Sequence, residues 1–398
     1  MKYFYLTAFC FVFFNQTVFG GIVETFHLNN GVKVIHKQTN TADIVSLKIY
    51  SPVSVLHEDT SRAGITSLLH NVMNKSTKNR NAKKLAEDIE NLGASVSCDV
   101  EYDFSGFSLN CMSLYFNRCC DILSDIILNP GFDEEEIEKE KNLLIQVIKS
   151  RSDSITETAT DKFISDFFGN HPYSYAKYGK IETLQNITRE DLIAFYDKIY
   201  SSKGIVITVV GNISKSALKK TLEKYFCRLN SVNECPKPAD VEKAERNAED
   251  VVVNSKFNQA FVIYAYDAPN VYNKDFAALK LLNVILGGRM TGRLFVELRE
   301  KLGLAYEVSS VYPTRIQNSY FEIYIGLDKK NIDVAKKGIE KIMNDLRSLK
   351  IGETELENTK NFIKGVYLLD HQTVEKQAYY LAFREVTGVG YEYDQKYI

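Results

Sequence analysis

Three observations predict an α+β fold built as two homologous halves, joined by a linker and enclosing a cavity. Strand-type and helix-type hydrophobic periods alternate along the chain. The same order restarts after a polar stretch in mid-sequence. A short segment also recurs 210 positions on, Glu90-Asn91-Leu92-Gly93 against Glu300-Lys301-Leu302-Gly303. A repeat of that period is a duplicated domain, far longer than the roughly 20–50 residues of a solenoid unit.

The elements follow in order. Residues 23–37 read as a hairpin around the Asn29-Asn30-Gly31 turn, an Asn-Gly turn signal between alternating runs. Residues 44–50 read as a strand, 63–73 as a helix with apolar residues at helical spacing, and 84–91 as a second helix stopped by Gly93. Two strands are expected in 95–113, and helices in 117–128 and 133–150 with Pro130-Gly131 breaking between them. Thr188-Arg189-Glu190-Asp191 is a capped helix start, and 204–211 is a buried strand. Residues 230–250 are polar, with Pro236 and Pro238, and read as a linker between domains. Beyond it the series begins again: a strand in 261–266, helices in 277–286 and 294–301, two strands in 306–326, then helices in 334–349 and 353–369. The domains are therefore 21–229 and 251–398. Ile398 follows soon after Gly388-Val389-Gly390-Tyr391, so the second half is expected to lack a last strand and helix, leaving an exposed sheet edge.

A chain of 398 residues with 45% apolar and 25% charged residues is ordinary for globular protein. Its net charge of −2, with both signs mixed throughout, argues against a nucleic-acid face or a polybasic membrane patch. Residues 1–20 differ: Met1-Lys2, an uncharged apolar run over 3–14, then polar Asn15-Gln16-Thr17 and a small-residue exit at Gly20-Gly21. That is the pattern of a secretory signal peptide. The run is too short to span a bilayer, which takes about 20 residues, and export, most simply to a bacterial periplasm, is expected. Disulfides are then permitted, with Cys227/Cys235 and Cys98/Cys111 as candidate pairs and free buried thiols as the alternative.

Function enters at the first helix. The segment Gly64-Ile65-Thr66-Ser67-Leu68-Leu69-His70-Asn71-Val72-Met73-Asn74-Lys75-Ser76-Thr77 resembles the H-x-x-E-H zinc helix of the pitrilysin/insulinase-type peptidases, the inverzincins. Gly64, the apolar positions and the trailing Lys75 and Thr77 fit. The two His ligands fall on Ser67 and Asn71, and the Glu general base falls on His70. The family's third ligand, a Glu on a later helix, aligns through Pro130 and Asp133–Lys141 with Val147. Catalytic zinc takes three protein ligands, a water and a nearby base; neither Glu140 nor Glu101 completes such a set, and no metal site is expected.

The second half carries Arg293-Leu294-Phe295-Val296-Glu297-Leu298-Arg299-Glu300-Lys301-Leu302-Gly303-Leu304-Ala305-Tyr306. It resembles the family segment whose Arg and Tyr face the zinc helix across the cavity, intact here as Arg299 and Tyr306. A guanidinium and a phenol there would donate to carbonyl oxygens of a bound peptide. Gly287–Arg293 lies where the silent subunit of mitochondrial processing peptidase has a longer glycine-rich loop, though a plain helix–helix connection is the simpler reading. His171, before Pro172, reads as structural. The resemblance covers nearly everything after the signal segment. It implies an antiparallel-rich sheet with helices packed on it in each half, and a non-catalytic, substrate-binding subunit beside a zinc-bearing homologous partner acting on peptides. The alternatives are a binding or scaffold protein without catalytic contribution, and an autonomous zinc peptidase with replaced ligands.

Overall fold

In the first half, β1 (Val23–His27) and β2 (Lys33–Gln38) form the expected hairpin, and β3 (Ile44–Ser51) follows. Helices α1 (Ile65–Met73) and α2 (Ala82–Glu90) lead to the antiparallel pair β4 (Ser95–Val100) and β5 (Ser105–Met112). Then come α3 (Phe116–Leu128), α4 (Glu134–Arg151), α5 (Ile155–Phe168), α6 (Ile181–Asn186), α7 (Arg189–Tyr200), β6 (Val206–Gly211) and α8 (Lys215–Phe226). The second half contains β7 (Gln259–Ala268), α9 (Phe276–Leu286), a π-helical turn Phe295–Lys301, β8 (Ala305–Val311), β9 (Ser319–Asp328), α10 (Ile332–Ser348), α11 (Glu353–Asp370), α12 (Val374–Val386) and α13 (Tyr393–Lys396). This computed structural model describes residues 21–229, 233–238 and 249–397; the predicted signal segment and most of the linker lie outside them.

The first sheet has six strands in the order β1-β2-β6-β3-β5-β4, antiparallel except for the parallel pair β2–β6. The second has three, β7-β9-β8, all antiparallel. Each half is thus a sheet with helices packed on it, as the α+β expectation has it. The outer edge of β7 has no partner among the described residues.

Strand alternation divides the first sheet between two cores. Val45, Leu47 and Ile49 of β3, with Ile207 and Val209 of β6, face a core shared with α1, α3, α7 and α8. Tyr50, Val206, Val210 and Ile35 point to the other face. That face is covered by α12, whose Ala378, Leu381, Ala382 and Val386 are buried against it. Small Ala378 and Ala382 allow close approach, and ion pairs Lys33–Glu385 (2.6 Å) and Lys48–Glu375 (3.6 Å) flank the seam.

The reciprocal contact comes from the first half. Helix α5 packs its Phe163, Phe167 and Phe168 rings around Tyr320 of β9, at 5.2, 5.8 and 5.8 Å between centroids. Each half therefore lends a helix to the other's sheet. Next to these helices the β4–β5 and β8–β9 turns meet: Ile316 N–H donates to Asp103 at 3.3 Å, and the Arg315 guanidinium lies 4.2 Å above the Tyr102 ring.

All six described cysteines are free. The 98/111 pairing fails on register. Cys98 stands opposite Phe107, four positions from Cys111 on β5, or about 13 Å along the ladder, too far for a disulfide. Cys98 instead donates to the His70 carbonyl at 3.1 Å. Cys227 and Cys235 are likewise unbonded.

Candidate functional site

Helix α1 is held by its N-terminus. Glu58, buried beneath it, accepts from the Gly64 and Thr66 N–H groups at 2.8 and 2.9 Å, which places a carboxylate on the positive end of the helix. Burial pushes its carboxyl up to about 7. Gly64 has φ of 95° and lies against Gly179; a Cβ on Gly64 would come within 2.7 Å of the Tyr178 oxygen. The glycine is required both by its left-handed backbone and by that contact.

The positions equivalent to metal ligands sit where this helix meets α4, but none carries a free donor set. Ser67 Oγ donates to the Lys177 carbonyl at 2.7 Å. Asn71 is half-buried. Val147, on α4, is 40% exposed and has no donor atom. His70 is 0% exposed, packed against the rings of Phe107 and Tyr200. Its Nδ1 lies 2.8 Å from the Thr66 carbonyl and its Nε2 3.2 Å from the Tyr200 hydroxyl. Burial lowers its pKa to about 4, so it is the neutral ring that donates to Thr66 and accepts from Tyr200. Both nitrogens are committed. The neighbouring carboxylates are committed as well: Glu140 pairs with Lys75 at 3.3 Å and Glu101 with Lys177 at 2.8 Å.

Arg299 and Tyr306 present the opposite picture. Arg299 lies on the last turn of the π-helical segment, exposed, its guanidinium 5.0 Å from the Phe295 ring. No ion pair to it occurs among the described residues. The Gly303 and Leu304 N–H groups donate to the carbonyls of Arg299 and Leu298 at 3.1 and 3.0 Å, which fastens the helix end to the start of β8. Tyr306 falls at a break in register between Ala305 and Glu307 of β8. Such a bulge turns a side chain out of the ladder, and Tyr306 is 60% exposed. The next residue, Glu307, accepts from Thr156 Oγ1 of α5 at 2.5 Å, tying this strand to the first half. The loop 287–293 is a helix–helix connection: Arg289 donates to Thr359, and Arg293 forms a two-pronged pair with Glu355 of α11 at 2.9 and 2.6 Å. His171 caps the 172–174 turn, accepting from Tyr173 N–H at 3.0 Å.

Two sequence profiles of one peptidase family match in succession: Insulinase (Peptidase family M16) over residues 33–179, and the Peptidase M16 inactive domain over residues 186–363. The chain belongs to the M16 insulinase family. Among M16 relatives it is 27% identical to an uncharacterized zinc protease, YmxG, of Bacillus subtilis, across 89% of this chain and 86% of that protein. Its fold is similar to that of a protease from Helicobacter pylori, with a TM-score of 0.88 and 21% identity over 95% of this chain and 93% of the other. It is also similar to the periplasmic protease PqqL from Escherichia coli, with a TM-score of 0.80 and 15% identity over 98% of this chain and 45% of that one.

A zinc of the M16 type does not fit here. Hydroxyl, amide and isopropyl groups stand where two imidazoles and a carboxylate are required, and the single imidazole faces the core. Among the described residues no group of three or more His, Cys, Asp or Glu is placed to hold a metal ion. Sequence reading found these positions but not Glu58, whose role is visible only once the turn before α1 is seen to fold under it.

Proposed function

We propose that this chain is the non-catalytic, substrate-binding subunit of a two-chain zinc metallopeptidase. A homologous partner supplies zinc and the general base. This chain supplies Arg299 and Tyr306, which would donate hydrogen bonds to the backbone of an unfolded peptide and to the oxyanion that develops at the scissile carbonyl. The signal-like pattern of residues 1–20 and the likeness to a periplasmic protease support a location outside the cytoplasm, in a periplasm.

The observation that carries this reading is a contrast. None of the positions that correspond to metal ligands carries an imidazole, thiolate or carboxylate, and the one imidazole nearby is sealed into the core, while the Arg/Tyr pair stays exposed and free of ion pairing among the described residues. The committed state of Glu140 and Glu101 weighs against an autonomous zinc peptidase. The test is reconstitution with a homologue that bears an intact H-x-x-E-H helix, using wild-type chain and Arg299→Ala. Peptidase activity that depends on this chain and collapses with Arg299→Ala supports the proposal. Full activity with the variant would leave this chain a scaffold.

A further inference from the structure

In the second half, α9 and α11 are the counterparts of α1 and α4, the helices that carry the family's metal positions. Between α9, α11, α12 and the β4–β5 turn lies a cavity of about 560 Å³, within the range of small-molecule sites. Three cations from separate segments line it: Lys280 of α9, Arg315 of the β8–β9 turn and Arg384 of α12. None of the three forms an ion pair with a carboxylate among the described residues. Lys280 Nζ donates to the Tyr312 carbonyl at 2.7 Å and lies 4.8 Å from that residue's ring. The Arg384 guanidinium sits between the Tyr393 and Tyr397 rings at 5.0 and 5.3 Å. Arg384 is 6% exposed, and its Nε and Nη1 have no hydrogen-bond partner among the described residues; Arg315 Nε has none there either. A buried guanidinium without a counter-charge is costly, and the cost is relieved by an anion.

The acids at the cavity define which anion. Glu101 is paired with Lys177 at 2.8 Å, and Asp103 accepts from the Tyr173 hydroxyl and Ile316 N–H. Asp370 accepts from the Tyr380 hydroxyl at 2.8 Å, and Asp394 is held by His371 at 3.0 Å and by Tyr367. Their partners leave the three basic groups without an ion pair among the described residues, although Asp103 lies within electrostatic range of Arg315, and the acids' charge disfavours a polyanion. The walls are aromatic, including Phe276, Phe362, Tyr379 and Phe383, which suits an apolar body. We propose that this cavity binds a monocarboxylate carrying an apolar or aromatic group, with Arg384, Arg315 and Lys280 holding the carboxylate. Its sources are the C-terminal end of a peptide or a free carboxylic acid. The proposal does not depend on a zinc-bearing partner or on Arg299 and Tyr306. Burial, together with the charges of Arg384 and Arg315, lowers Lys280 to about 7, so at pH 8 the resting positive charge is that of the two arginines and a bound carboxylate would draw a proton onto Lys280.

The test uses the purified chain in calorimetry at pH 8 with three probes: a hexapeptide ending in Phe, the same peptide as its C-terminal amide, and 3-phenylpropanoate. The free-acid peptide is expected to bind at least about tenfold more tightly than the amide, in keeping with a charge-assisted bond. Comparable binding of 3-phenylpropanoate assigns the site to free carboxylic acids, and its failure beside a binding peptide assigns it to peptide ends; both keep the carboxylate site. Arg384→Gln and, as a second variant that alters a less buried cation, Lys280→Gln should each weaken binding by about tenfold without lowering the melting temperature of the free protein. Proton uptake, read from buffers of different ionisation enthalpy, should vanish in Lys280→Gln. Equal binding of acid and amide, no binding of any probe, or variants that bind as wild type would overturn the proposal.

Discussion

At the scale of single residues, Arg299 and Tyr306 differ from nearly every other polar group at the site in being left unpaired. Arg293, close by in sequence, is by contrast engaged with Glu355. Loss of an oxyanion donor costs about 10²–10³ in rate, so Arg299→Ala and Tyr306→Phe should each lower kcat of the reconstituted pair by about that factor, while co-purification of the two chains is unchanged. Arg299→Lys should not restore it, because an ammonium lacks the planar fork. A second residue makes a statement about pH. Glu322 on β9 is buried, and burial alone pushes its carboxyl up to about 7. Its folded-state value is thus above the ordinary one of 4.5, and the folded chain holds that proton more tightly than the unfolded chain. The stability present below pH 4.5 is therefore lost as pH rises toward 7. Glu322→Gln should be more stable than wild type at pH 8, on the order of 2 kcal/mol, and equal to it at pH 4; denaturant titrations at the two pH values read this directly. An equal gain at both would mean that ionisation is not the cause.

At the scale of elements, the sequence was most legible where each half packs on itself. The hairpin at Asn29-Asn30-Gly31, the capped start at Thr188 and the second-half strands lie within a residue or two of the expected bounds. Among the helices that were not read are α5 and α12, the two that cross between halves. The signal for α12 was present: Thr373 accepts from Lys376 N–H as an N-cap, ahead of apolar residues at 374, 378, 381–382 and 386. What no periodicity discloses is which sheet an apolar stripe will cover, since that is decided by contacts some 170 residues or more away in sequence, such as Val206 with Ala378. The helix 294–301 was anticipated as a helix but not as a π-turn, nor was the bulge that turns Tyr306 outward. Leu381→Ala should cost about 2–5 kcal/mol, although Leu381 belongs to the second half and its pocket to the first. Because of the exchanged helices, thermal unfolding should remain a single transition in that variant; two resolved transitions would contradict the coupling.

At the scale of the whole molecule, the scaffold of the family rests on apolar pattern, and on the proposed reading its metal chemistry is separable from that pattern. The sheets, the helix pairs and the exchanged helices depend on apolar pattern and are kept. The positions that the family resemblance assigns to the metal contribute little to that pattern, so Ser67, Asn71 and Val147 are accommodated without disturbing α1 or α4, and His70 is absorbed into the core. The same independence lets the second half carry charges of its own around the cavity between α9 and α11. Those cations come from three distant segments with no shared spacing, which is why no motif announced them. Among the described residues no helix is long and apolar enough to cross a membrane.

The most direct test is metal content and peptidase activity of the purified chain, alone and after mixing with a homologue that carries the intact zinc helix. No bound zinc and no turnover alone, with activity appearing on mixing and lost with Arg299→Ala, is the expected result. Stoichiometric zinc and turnover in the isolated chain would contradict it, and would place the ligands away from Ser67, His70, Asn71 and Val147.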